Sequence, residues 1–143
     1  MPFASLPSFR VLGPSTLDEV ALDPPGSYVV PDLSGQSVVE ISDTSEWAGF
    51  TAFIKCPTAP SGTAPTLDAR IEHAPDDTGT MWVTLASFAQ FTAVGVKSVS
   101  IPGPGTSDAK TFGQFIRIVL KLGGTDEPTW TNVEVWISPK VRA

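Results

Sequence analysis

From residue 66 to residue 73 the chain alternates without a break. Leu67, Ala69 and Ile71 share one parity, and Asp68, Arg70 and Glu72 share the other. Successive side chains of a strand point to opposite sides, so this stretch is a strand with one buried face and one wet face. Residues 116–122 repeat the pattern, with Ile116, Ile118, Leu120 and Leu122 on one parity. In residues 129–137, Val133, Val135 and Ile137 oppose Trp130, Asn132, Glu134 and Trp136. Shorter β-like runs lie at 38–41, 49–55, 81–85, 87–91 and 97–101, and the strand ending at Leu122 begins near Gly113.

The stretches between these runs are rich in turn residues: 57–65, 75–80, 102–108 and 123–126. Proline and glycine at that spacing argue for hairpins and against a parallel βα architecture. Seven to nine short strands without a long helical pattern predict an all-β fold, an antiparallel sandwich or barrel.

Residues 1–35 read differently. They hold Pro2, Pro7, Pro14, Pro24, Pro25 and Pro31, six of the chain's fourteen prolines. Proline removes a backbone donor and restricts the residue before it, so regular structure is interrupted here. Yet Phe3, Leu6, Phe9, Val11 and Leu12 are apolar, which a disordered tail avoids. The segment reads as an extended arm lying on an apolar surface, either its own domain or a neighbouring subunit. Within it, residues 15–20 fit one short helix, with Ser15 or Thr16 as the cap and Asp18 or Glu19 in the first turn. The division expected is an arm over 1–35 and a β-sandwich domain over 36–143.

A chain of 143 residues suits one domain with a substantial core. Charged residues are 17% of it, against about 25% in typical domains. The net charge of −6 and the scattered basic residues offer no run to neutralise phosphates, so nucleic acid is not an expected partner. The first residues carry no basic region followed by an apolar one, and no apolar run reaches membrane-spanning length. Synthesis in the cytoplasm and no membrane partner are the expectations.

Candidate chemistry is sparse. One histidine, His73, and one cysteine, Cys56, do not make a usual zinc site. His73 fits a strand-end surface residue, and Cys56 fits a small buried one. Glycosidases need only two carboxylates, and the strand residues Glu72 and Glu134 are the pair that a shared groove would require. Phosphate-loop, dinucleotide, nucleophile-elbow and EF-hand patterns are all missing. The expectation is no catalytic residue, no metal and no cofactor.

The string Asp77-x-Gly79-x-x-Trp82 resembles the Asp-box turn found between strands in sialidases and other β proteins. An aspartate can accept hydrogen bonds from the turn's amides, Gly79 permits positive φ, and Trp82 covers the base as the next strand begins. The reading is a structural turn; calcium at Asp76 and Asp77 is the alternative, and two carboxylates are a weak cation site. Trp130 and Trp136 share the parity opposite the valines. They are either an exposed aromatic face, suited to a sugar or a protein, or a face covered by the arm or a subunit.

Residues 65–77, Trp82, residues 88–92, residues 112–118 and residues 123–125 together are similar to small virion structural proteins of tailed bacteriophages, over about residues 47–137. The resemblance implies a β-sandwich, jelly-roll-like, of about eight strands, that assembles on a particle. It implies a head-decoration or cement subunit on the outer surface of a capsid, reinforcing capsomer contacts. The partners would be the major capsid protein or another virion protein, in a homo-oligomer with a trimer favoured, and the location the virion. Candidate interface residues are Phe3, Leu6, Phe9, Trp130 and Trp136. The competing readings are a carbohydrate-binding module that uses the last-strand tryptophans, a tail or baseplate subunit, and a small hydrolase with a carboxylate pair. Removal of the arm is expected to leave the domain folded.

Overall fold

A computed structural model describes residues 3–5, 8–18, 36–41, 47–75, 82–101 and 115–142. Among these residues every regular element is a strand: β1 (Phe3–Ser5), β2 (Phe9–Asp18), β3 (Gln36–Ile41), β4 (Gly49–Cys56), β5 (Ser61–Ala74), β6 (Val83–Ser87), β7 (Gly95–Ile101) and β8 (Phe115–Arg142). All the pairings are antiparallel. The fold is all-β, as the alternation requires.

β8 organises the rest. Its first half, residues 115–122, lies between β3 and β5, with β6 outside β5. Its second half, residues 129–142, lies between β4 on one side and β1 and β2 on the other, with β7 outside β4. The two half-sheets enclose one core. Ile116, Ile118 and Leu120 enter it from the first half of β8, and Val133, Val135 and Ile137 from the second. β5 adds Leu67, Ala69 and Ile71, and β4 adds Phe50, Ala52, Ile54 and Cys56. Each large apolar side chain buried this way contributes roughly 1.5–3 kcal/mol. β2 lies near β3 and β6 near β7, so the curled sheet comes close to closing on itself.

Three expectations need correction. The glycines at 123 and 124 do not end one strand and begin another. The strand bends there and continues, because the first residues of β5 keep pairing across it, Thr66 with Gly123 and Ser61 with Thr129. Positive φ at Gly124 (111°), Asp126 (58°) and Glu127 (54°) makes the corner. A side chain at Gly124 would run into the backbone of Thr63 and Ala64, so the corner demands glycine. The two strands expected at 81–85 and 87–91 become β6 and a short segment joined to Leu67 through Phe91.

The helix expected at 15–20 is the third correction. Residues 15–18 belong to β2 and pair with the second half of β8. Leu12 and Leu17 are buried in the common core. Burying two leucines against Val133, Val135 and Trp130 outweighs a capping pattern that only local propensity supports. The strand reaches that geometry through three register shifts. Pro14 is tolerated because β2 is an edge strand and needs no outward donor. Glu19, Val20 and the boundary at residue 35 lie outside the described residues.

Candidate functional site

The outer faces of the two half-sheets differ. On the first, part of the wet parity of β5 and β8 is dry, although Asp68 and Lys121 at one end stay exposed. Glu72 and Arg117 are 6% and 7% exposed, and Val119 is buried as deeply as the core. Arg117 Nε donates to Glu72 Oε1 at 2.6 Å, and Arg70 Nε donates to Glu72 Oε2 at 2.8 Å. The Trp82 ring lies over the Arg117 guanidinium, 4.4 Å from its centroid, within the range of a cation–π contact. Burial alone would raise the Glu72 carboxyl; hydrogen bonds and charge from Arg70 and Arg117 outweigh it and hold the carboxyl below its ordinary value. Such a carboxylate stays ionised and is a poor general acid.

Beside this cluster runs an open groove of about 170 Å³, lined by Asp68, Arg70, Ser87, Phe88 and Lys121 among others. Gln90 Nε2 donates to both oxygens of Asp68, at 2.9 and 3.2 Å.

The outer face of the second half-sheet is open. It is built in rows across four strands. Arg10, Trp136, Phe53 and Ser98 stand opposite one another in register. One row along are Ser138, Thr51 and Ser100, with Ser8 bonded to Ser138 and Thr51 bonded to Ser100. On the other side are Glu134, Lys55 and Val96. Glu134 takes Arg10 at 3.2 Å and Lys55 at 3.8 Å. Arg10, Lys55, Ser98, Ser100 and Val96 are exposed, and Trp136, Phe53 and Thr51 are half-buried.

The sequence candidates scatter over these features. Trp136 lies at the centre of the open face. Trp130 does not join it: it is fully buried, edge-on to Phe91 with ring centroids 6.2 Å apart. Unbroken alternation cannot bury both Trp130 and Val133, three residues apart. Asn132, at φ 60°, breaks it, and β2 spends two residues, Ser15 to Leu17, against three of β8. This is a β-bulge, with the extra residue in β8. Trp130, an interface candidate that both sequence alternatives put on the face opposite the valines, is instead a residue of the common core. Its indole Nε1 has no hydrogen-bond partner among the described residues.

Phe9 packs edge-on against Trp47, and Trp47 against Phe50, so Phe9 is tied to its own domain. Phe3 lies in β1 opposite Arg142. Leu6, Asp76, Asp77 and Gly79 lie outside the described residues, while Trp82 covers Arg117. Glu72 and Glu134 belong to the outer faces of different half-sheets, with the core between them, so they share no groove. Cys56 is buried, and desolvation pushes its thiol up to about 12, which leaves it protonated and unreactive. No group of three or more metal-capable side chains occurs among the described residues.

Alternation within residues 49–55 already sets Phe53 opposite Phe50, Ala52 and Ile54, a signal that the sequence reading passed over. The exposed valines Val83, Val94 and Val96 had no signal, because exposure at a sheet edge depends on which strands are outermost.

No family model matches the chain, and no curated protein does. A solved structure described as "CBM4 structure and function" is similar to 73% of this chain at 12% identity, with a TM-score of 0.40. The chain spans 60% of that structure's length.

Proposed function

We propose that this chain is a non-enzymatic structural subunit that docks on other protein subunits, and that it serves as a decoration or cement subunit on the outer surface of a phage capsid. One observation supports docking above all. β6 and β7 end the hydrogen-bonded strand order and lie near each other, and both edges expose valine: Val83 in β6 at 60%, Val94 just before β7 at 53% and Val96 in β7 at 62%. Strands at a sheet edge are usually blunted by charge or proline, and apolar side chains left there favour contact with another chain. Lys97, in the same strand, does not blunt the edge; its ammonium lies over the Phe91 ring, 5.3 Å from the centroid.

The virion assignment draws on the resemblance across residues 47–137. The capsid surface and self-association, with a trimer favoured, belong to the same proposal. Co-sedimentation with capsids stripped of this subunit tests it. Val94→Asp combined with Val96→Asp should lower occupancy at least tenfold and leave the melting temperature within a few degrees. Equal occupancy by the double variant would remove Val94 and Val96 as the docking surface. Failure of the unmodified chain to bind stripped capsids would remove the capsid reading.

A further inference from the structure

We infer that the open face of the second half-sheet is a binding site for a neutral glycan, with Trp136 and Phe53 as the stacking platform. This goes beyond the assembly reading and does not depend on it. Trp136 and Phe53 are directly opposite on neighbouring strands, so their Cβ atoms stand about 5 Å apart and the two side chains form one short apolar strip. Both are half-buried, with nothing apolar beside them along the strands. The flanking rows are roughly 7 Å away, two residues along each strand. One carries hydroxyls; the other carries an ion-pair network and, at its β7 end, the exposed Val96.

A protein-docking patch has a broad apolar centre depleted in serine, lysine and glutamate. Here those residue types begin one row from the rings on β4 and β8, so the apolar strip is one row wide apart from Val96 on β7. A pyranose fits that pattern: its C–H face lies on an aromatic π face, and its hydroxyls fall at the rim. The aromatic face is the negative side of the ring quadrupole and attracts polarised C–H groups.

The rim can answer both kinds of hydroxyl demand. Thr51 and Ser100 share one hydrogen bond of 2.8 Å, and each hydroxyl keeps acceptor capacity beyond it. Glu134 accepts a hydrogen bond from Arg10, pairs with the Lys55 charge at 3.8 Å, and has lone pairs remaining. Arg10 lies 6.0 Å from the Trp136 centroid, at the outer limit of a cation–π contact, so it flanks the ring more than it caps it. The face carries two cations and one carboxylate on a chain of net charge −6. That balance gives little purchase to a polyanion, which the rest of the surface repels, and favours an uncharged sugar.

Affinity electrophoresis of the full chain through gels containing β-glucan, α-glucan, mannan or soluble chitin derivative tests the assignment. At least one of these should retard the wild type. Trp136→Ala should weaken that retardation at least tenfold, Phe53→Ala several-fold, and Trp136→Tyr should retain most of it. Val94→Asp should leave it unchanged, because Val94 lies outside the rows of this face, and that separates the site from docking through Val94. Migration unaffected by every polysaccharide would overturn the inference. So would Trp136→Ala and Phe53→Ala binding as the wild type does. Should Trp136→Ala lower the melting temperature sharply, the Phe53→Ala and Trp136→Tyr pair decides.

Discussion

Glu72 shows how one residue can reverse the meaning of its own pattern. Its parity marks it as solvated, yet it is buried between two arginines that both bond it. A buried ion pair adds little over apolar packing, but breaking one strands a charge and costs about 3–5 kcal/mol. Glu72→Gln should therefore destabilise the fold by roughly that amount at pH 7, read from urea midpoints. The pH dependence follows from the direction of the shift. The folded carboxyl lies below its ordinary 4.5, so the unfolded state binds its proton first. The stabilisation is complete above pH 4.5 and is lost as pH falls through the folded value. The gap between wild type and Glu72→Gln should close with acid; a gap that is constant from pH 7 to pH 3 would contradict the ion-pair account.

β2 is the element whose role differs most from its sequence. Its proline and capping residues read as part of a detachable arm, but its leucines are core residues. Gly13 packs so closely on β8 that a Cβ there would collide with the Val133 carbonyl oxygen, and its φ of 91° disfavours any other residue. The expectation that removal of the arm leaves the domain folded thus conflicts with Leu12 and Leu17. Leu17→Ala should cost about 2–5 kcal/mol, the range for a truncated buried leucine. Deletion of residues 1–18 should cost more, exposing Trp130 to quenching by acrylamide. Wild-type stability in either variant would show that β2 merely rests on the sheet. The other strands were more legible, because an alternating run carries its own face assignment: β4, β5 and the first half of β8 each bury the parity their residues announce. β2 was not, because its three register shifts erase any period.

At the scale of the molecule, what was legible was the class, and what was hidden was the connection. Periodicity in residues 66–73 and 116–122 makes two-faced strands obligatory, but it is silent on which strands share a sheet. It is silent, too, on the corner at Gly124 and on the bulge at Asn132, where one backbone angle moves Trp130 from surface to core. The open face was half visible, through Trp136, because its other members come from strands far apart in sequence. That same hidden connection has a thermodynamic consequence. β8 is the central strand of both half-sheets, and both half-sheets pack on one core. Neither half can open without exposing the inner face of the other, so unfolding should be a single two-state transition. Ile118→Val in the first half and Ile54→Val in the second should each cost about 0.5–1.5 kcal/mol. Both should move one shared calorimetric peak by a few degrees, with calorimetric and van't Hoff enthalpies in agreement. Two peaks, each answering to only one of the substitutions, would mean that the half-sheets are independent and that the corner is a hinge rather than a shared spine.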